Sequence, residues 1–139
     1  MIRPLSKEKA RALLTETRTG RLGCVVNDGP YVVPVNYVFH EDSFYVHSLS
    51  GRKIEALRAN QRACLQVDEI RDQYHWRSAI AFGRYEEITR DDERAWALRR
   101  LLSRFPQLTP VESLPVHDGQ SSIIVFRIRI DEITGVEEG

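Results

Sequence analysis

Phe44-Tyr45-Val46-His47-Ser48-Leu49-Ser50-Gly51-Arg52-Lys53-Ile54-Glu55-Ala56-Leu57 changes character halfway along. Residues 44–48 are rich in aromatic and β-branched side chains, the pattern of a short strand. Ser50-Gly51 interrupts it and opens a helix that runs to about Asn60. The first helical residues are two cations, Arg52 and Lys53, placed where the helix macrodipole is already positive and a cation loses a few tenths of a kcal/mol. A phosphate offsets that loss. The free backbone N–H groups, the Ser50 hydroxyl, a guanidinium fork and an ammonium together make a strong dianion site. Exposed charges cost little, so a solvated pair of cations competes with this reading; the preceding Ser-Gly favours the phosphate.

Upstream, Ser6 caps a helix with Glu8 in its first turn, apolar positions at Ala10, Leu13 and Leu14, and a stop at Gly20. An extended run over 21–27, the turn Asn27-Asp28-Gly29-Pro30 and a second run over 31–39 read as a hairpin. Pro34 cannot donate to a ladder, so the second run belongs at a sheet edge or carries a bulge. His40-Glu41-Asp42-Ser43 turns the chain into the strand that begins at Phe44.

Downstream, 62–69 and 76–88 read as strands, with Ala79, Ala81 and Gly83 on one face of the second, opposite Ile80 and Phe82. Thr89, with Asp92 three residues on, is expected to cap a helix whose apolar positions are Ala95, Trp96, Leu98, Leu101, Leu102 and Phe105, and Pro106 ends it. Residues 107–120 carry Pro110, Pro115 and Gly119 and read as a long loop, a lid or an arm. Residues 122–133 close the series, with Ile124, Phe126, Ile128 and Ile130 inward and Arg127 and Arg129 outward. About six strands with three helices at connections, joined by hairpin spacings, predict a mainly β antiparallel barrel. Neither a dinucleotide-binding glycine fingerprint nor a P-loop is present.

The 139 residues suit one domain, 1–139, with a core of its own. Twenty basic and twenty acidic residues cancel, so no global field draws in nucleic acid, and an anion must be held by a local cluster. No stretch approaches the roughly 20 apolar residues of a membrane helix and no apolar leader follows Met1, which makes the cytoplasm the expected compartment. Cys24 and Cys64 lack metal or redox spacing and are expected to be buried thiols. No metal is expected, since His40, His47, His75 and His117 form no ligand set.

Taken in order, Gly20-Arg21-Leu22-Gly23-Cys24, Val33-Pro34-Val35-Asn36-Tyr37, Tyr45-Val46-His47-Ser48, Gly51-Arg52-Lys53, Ala59-Asn60, Phe126-Arg127-Ile128 and Ile133-Thr134-Gly135 resemble the pyridoxamine 5′-phosphate oxidase-like split barrels. Within them the chain is most similar to the short nitroimidazole-resistance (nitroimidazole reductase) branch. The resemblance implies a six-stranded split β-barrel, a homodimer, and flavin mononucleotide (FMN) in the groove between two copies. Arg52 and Lys53, helped by Ser50, would grip its phosphate. Val33, Pro34, Val35 and Asn36 would address the isoalloxazine edge, with Tyr45, Val46, His47 and Ser48 beside it and Ser78 as a further polar contact.

FMN needs one dianion clamp and a mostly apolar slot with a few polar groups, because the cofactor itself carries the electrons. The expected activity is therefore an oxidoreductase that passes electrons from a nicotinamide or other donor to a small compound such as a nitroaromatic. The alternatives are a flavin-binding or redox-sensing module without turnover, or the same fold holding the deazaflavin F420 or haem. The oxidase proper carries a C-terminal basic segment for its substrate phosphate. This chain ends Thr134-Gly135-Val136-Glu137-Glu138-Gly139, so pyridoxamine phosphate oxidation is not expected.

His47 is the catalytic candidate, since a histidine near a flavin can donate a proton or orient a substrate. A lone strand histidine is more often a structural hydrogen-bonder. Trp96 reads as core at helical spacing, and Asp91-Asp92-Glu93 reads as a complement to the helix dipole rather than an acid–base pair.

Overall fold

The computed structural model describes residues 1–106 and 123–139. In chain order the elements are β1 (Ile2–Pro4), α1 (Lys7–Glu16), β2 (Thr19–Val26), β3 (Gly29–Asn36), β4 (Val38–His40), β5 (Ser43–Leu49), α2 (Arg52–Ala59), β6 (Arg62–Asp72), β7 (His75–Glu87), α3 (Asp91–Arg104) and β8 (Ile123–Glu138). Among the described residues eight strands join one sheet in the order β3-β2-β6-β7-β8-β5-β4, with β1 added to β8, and each of these pairings is antiparallel.

The sheet curls because its two ends are consecutive pieces of one chain segment. β3 pairs with β2, β4 pairs with β5, and Tyr37 alone separates them. Its backbone N–H donates to the Arg18 carbonyl (3.1 Å), its hydroxyl donates to the Leu14 carbonyl, and its ring is fully buried. Burial drives the Tyr37 phenol well above its ordinary pKa, so it stays a neutral donor.

The turn at Asn27-Asp28 joins β2 to β3 with both residues at positive φ (49° and 63°), the two-residue hairpin geometry that matches strand twist. Inside the curl lie Leu22, Leu65, Val67, Ala79, Ala81, Phe44, Val46, Phe126 and Ile128, with Ala10, Leu13 and Leu14 of α1 and Ile54 and Leu57 of α2 packed into the same core. The small side chains of β7 thus serve the interior. Gly83 sits at a register shift between β7 and β8, where an added Cβ would lie 2.1 Å from the Arg129 carbonyl oxygen. α3 lies apart, with Ala97 packed with Tyr45, Ile88 and Val125 in a second apolar cluster.

Several expectations change. The strand count is eight rather than six, because the second run splits at Tyr37 into β3 and β4, and Ile2–Pro4 pairs with 136–138. The final strand continues through Glu138 instead of stopping at Ile133, since β7 and β1 supply partners for residues 134–138. α1 ends at Glu16, and Gly20 is a buried strand residue against Leu65 rather than a helix stop. α3 starts after Arg90 with no side-chain cap from Thr89, and its buried positions are Ala97 and Leu101 while Ala95 and Leu102 face solvent. Pro34 does lie in an edge strand, exposed and opposite Arg21. Cys24 is buried as expected, whereas Cys64 is only half-buried. The loop expected over 107–120 lies outside the described residues. No helix among them is long and apolar enough to cross a membrane.

Candidate functional site

α2 begins after Gly51 in extended backbone (φ 171°), and no side chain caps its first N–H groups. A Cβ built at Gly51 would meet nothing within 4 Å, so the approach to the helix start is open. Ser50 and Arg52 are exposed there. This is an anion cradle in the chemical sense: unsatisfied N–H donors, a hydroxyl and a guanidinium with space in front. Lys53 differs from Arg52. It is half-buried, and burial pulls its ammonium below the ordinary lysine value, with the Cys24 thiol as its electrostatic neighbour. Burial in turn pushes the Cys24 thiol up. Cys24 lies on β2 opposite Tyr31 of β3, and α2 packs on β2, so the start of α2 stands near the β2-β3 hairpin.

β3 is the sheet's edge, paired with β2 alone among the described residues. Val33 packs against the interior core and Val35 is buried in it, so toward a ligand these two offer backbone groups. Pro34 and Asn36 stand on the outer face, where the Asn36 side-chain oxygen accepts from the Thr19 hydroxyl (2.8 Å). Ser78 shares that face two strands beyond β2. Its hydroxyl accepts from Gln66 Nε2 (3.1 Å), and Gln66 Nε2 also donates to Asp68 (3.0 Å), which receives Arg21 (3.1 Å). From Pro34 to Ser78 the outer face crosses three strand spacings, about 14 Å.

The four β5 residues divide between two faces. Val46 is in the interior core and Ser48 is buried with its hydroxyl donating to the Leu49 carbonyl (2.9 Å). Tyr45 and His47 point to the outer face, opposite Arg127 and Val125 of β8. Tyr45 is covered by α3, its ring 5.2 Å from that of Trp96. His47 is half-buried. The expected site residues therefore fall into an α2 group, an outer-face group of Pro34, Asn36 and Ser78, a Tyr45 and His47 group on another stretch of that face, and Val33, Val35, Val46 and Ser48 turned inward.

Reading motifs alone passes over Arg21, Gln66 and Asp68, which organise the outer face around Ser78. The period-two alternation of β2 and β6 carried a signal for these three, because it places all of them on the face opposite Leu22, Leu65 and Val67. Among the described residues no group of three His, Cys, Asp or Glu side chains gathers as metal ligands.

Comparison with known proteins places this geometry. The chain is 32% identical to a protein described as FAD-binding from Mesorhizobium loti, over 100% of this chain and 99% of that one, with a TM-score of 0.86. It is 26% identical to the flavocytochrome Anf3 from Azotobacter vinelandii, over 99% of this chain and 69% of that one, TM-score 0.72. A candidate 5-nitroimidazole antibiotic resistance protein from Bacteroides thetaiotaomicron shares the fold at 21% identity, covering 99% and 87% of the two chains, TM-score 0.76. Residues 6–137, nearly the whole chain, match the pattern described as pyridoxamine 5′-phosphate oxidase. The chain belongs to the pyridoxamine 5′-phosphate oxidase-like split-barrel family.

Proposed function

We propose that this chain binds FMN as a homodimer and works as an oxidoreductase on a small oxidised compound, a nitroaromatic being the first to try. The observation that carries the reading is the uncapped, open start of α2 with Ser50 and Arg52 exposed beside it. Those groups suit a phosphate dianion better than they suit water alone, because each helix N–H left without a partner favours an anion. Support for a second copy comes from the outer face of β2, β3, β6 and β7, which leaves Val32 (65%) exposed beside Pro34 on β3 and Phe82 (39%) exposed three strands away on β7. A flavin supplies electron transfer when bound. The chain's own contribution is to hold the phosphate at Arg52 and Ser50, present the free edge of β3 to the ring, and exclude water once the outer face is covered.

His47 is the residue to test for proton delivery, because it stands on the outer face of β5, in the stretch that the family resemblance sets beside the flavin. A second reading, FAD in place of FMN, is favoured by the FAD-binding description of the Mesorhizobium loti protein, the more similar of these flavin-named relatives. Both share the clamp chemistry and differ beyond the first phosphate. The deciding experiment is chromatography of the flavin released from purified protein, with titration of Arg52→Ala. That variant is expected to weaken flavin binding by about 1.5–3 kcal/mol, the range of a charged hydrogen bond. An unchanged titration curve removes Arg52 from the clamp, and protein that retains neither flavin removes the proposal.

A further inference from the structure

Most arginines of this chain are neutralised where they stand. Arg11 pairs with Asp42 (2.9 Å), Arg21 with Asp68 (3.1 Å), Arg58 with Glu87 (2.9 Å), and Arg127 and Arg129 both with Glu86 (2.8 and 2.9 Å). Arg18, Arg52, Arg62, Arg71 and Arg94 have no such partner among the described residues but lie scattered, whereas three more gather in one place. Arg99, Arg100 and Arg104 of α3 line a groove of about 470 Å³ together with Val38, Trp96 and Ser103, and none of the three has a carboxylate within ion-pair distance among the described residues. In a chain of zero net charge this is a local excess of positive charge.

The groove is shallow, and ring and guanidinium contacts fix its walls. The Trp96 ring is wedged by the edges of His40 (5.0 Å) and Tyr45 (5.2 Å), and the Arg100 guanidinium lies 4.8 Å over its face. Arg104 is anchored by donating to the carbonyls of Glu16 (3.0 Å) and Thr17 (3.1 Å). Anchoring brings it near Arg18, and burial together with that like charge holds its guanidinium below the ordinary arginine value. A bound anion offsets the cost of holding this buried cation near others of like charge. Val38 and Trp96 add an apolar wall, and Ser103 a hydroxyl.

We propose that this groove binds a small organic anion with an apolar, flat body, of the aromatic carboxylate class, its carboxylate held by Arg99, Arg100 and Arg104 and its body against Val38 and Trp96. A volume of about 470 Å³ lies within the roughly 300–1,000 Å³ of small-molecule sites, which favours a small ligand over a peptide. The site is formed by α3 and β4, separate from the start of α2, and the inference stands whether or not the chain binds a flavin.

Two tryptophans, Trp76 and Trp96, give the test its internal control. In two-dimensional NMR of the full chain, benzoate at millimolar concentration is expected to shift the Trp96 indole N–H saturably and leave that of Trp76 in place. Benzylamine should leave both unchanged. Arg99→Gln combined with Arg100→Gln, both exposed on α3, should weaken the benzoate response by about tenfold or more, as two charge-assisted contacts are lost. No Trp96 shift with benzoate overturns the site. Equal binding of inorganic phosphate overturns the apolar half of the assignment, and a Trp96 signal that moves with protein concentration alone assigns the groove to a second copy instead. The wild-type titration stands by itself if the double variant fails to fold.

Discussion

β3 and β5 each send alternate side chains into the same core, yet their outer faces meet different fates. On β5, Tyr45 is 8% exposed and its neighbour Val125 on β8 1%, because α3 lies over them. Across β3, β2, β6 and β7, Val32 remains 65% exposed and Phe82 39%, with half-buried Val25, Cys64 and Ile80 on the same side. One half of the sheet carries its own cover; the other presents an apolar surface surrounding the Arg21, Gln66, Asp68 and Ser78 network. Exposed apolar patches of this kind mark surfaces that another body covers. The proposed homodimer rests on this difference: it would put the second copy and the ligand on the uncovered half, beside the free edge of β3.

The most severe way to break the comparison is at the seam between the halves. Gly83→Ala places a Cβ against the Arg129 carbonyl at the β7-β8 register shift and is expected to destabilise the fold by about 3 kcal/mol, read by denaturant unfolding. A wild-type midpoint would mean that the two strands are not held this close. Next, Leu101→Ala empties a fully buried position under α3 and should cost about 2.5 kcal/mol. Val32→Asp, on the uncovered half, should change unfolding by no more than about 0.5 kcal/mol while abolishing pairing of copies in gel filtration. Equal stability losses at Leu101 and Val32 would erase the distinction.

The smallest effect lies in charge. Arg129, then Arg127, hold the Glu86 carboxyl below its ordinary value by hydrogen bonds and charge. A carboxylate whose folded pKa is depressed contributes stability that is complete above its unfolded value, roughly pH 4.3, and lost as pH falls through the lower folded value. Wild type and Glu86→Gln should therefore differ at neutral pH and converge in acid, by less than about 1 kcal/mol because the groups are partly exposed. A difference that persists in acid would assign Glu86 a packing role.

Local chemistry made much of this legible before any coordinates. Ser6 caps α1 by accepting from Lys9 N–H (3.2 Å), Asn27-Asp28 turn as hairpin residues should, and Ile124, Phe126 and Ile128 face inward. The features that escaped depend on partners distant in sequence. Nothing near Tyr37 announces that the chain passes there from one end of the sheet to the other; its buried hydroxyl and its N–H bond to Arg18 do so only once α1 is in place. Residues 134–138 look like a tail until β7 and β1 flank them. At the site, the motif placed Arg52 and Lys53 side by side, whereas the fold leaves Arg52 exposed and half-buries Lys53. Helix phase and the neighbouring strand decided that, and neither is visible in the dipeptide.

The uncovered half is the centre of this account, so the most direct measurement is size-exclusion chromatography with light scattering and visible absorbance on the same peak, after incubation with FMN. The account expects a single species at twice the 16.1 kDa chain mass carrying the flavin band, with Val32→Asp losing the mass and the colour together. A species of one chain mass that holds flavin as tightly as the wild type, or a colourless dimer that releases all added flavin, would contradict it.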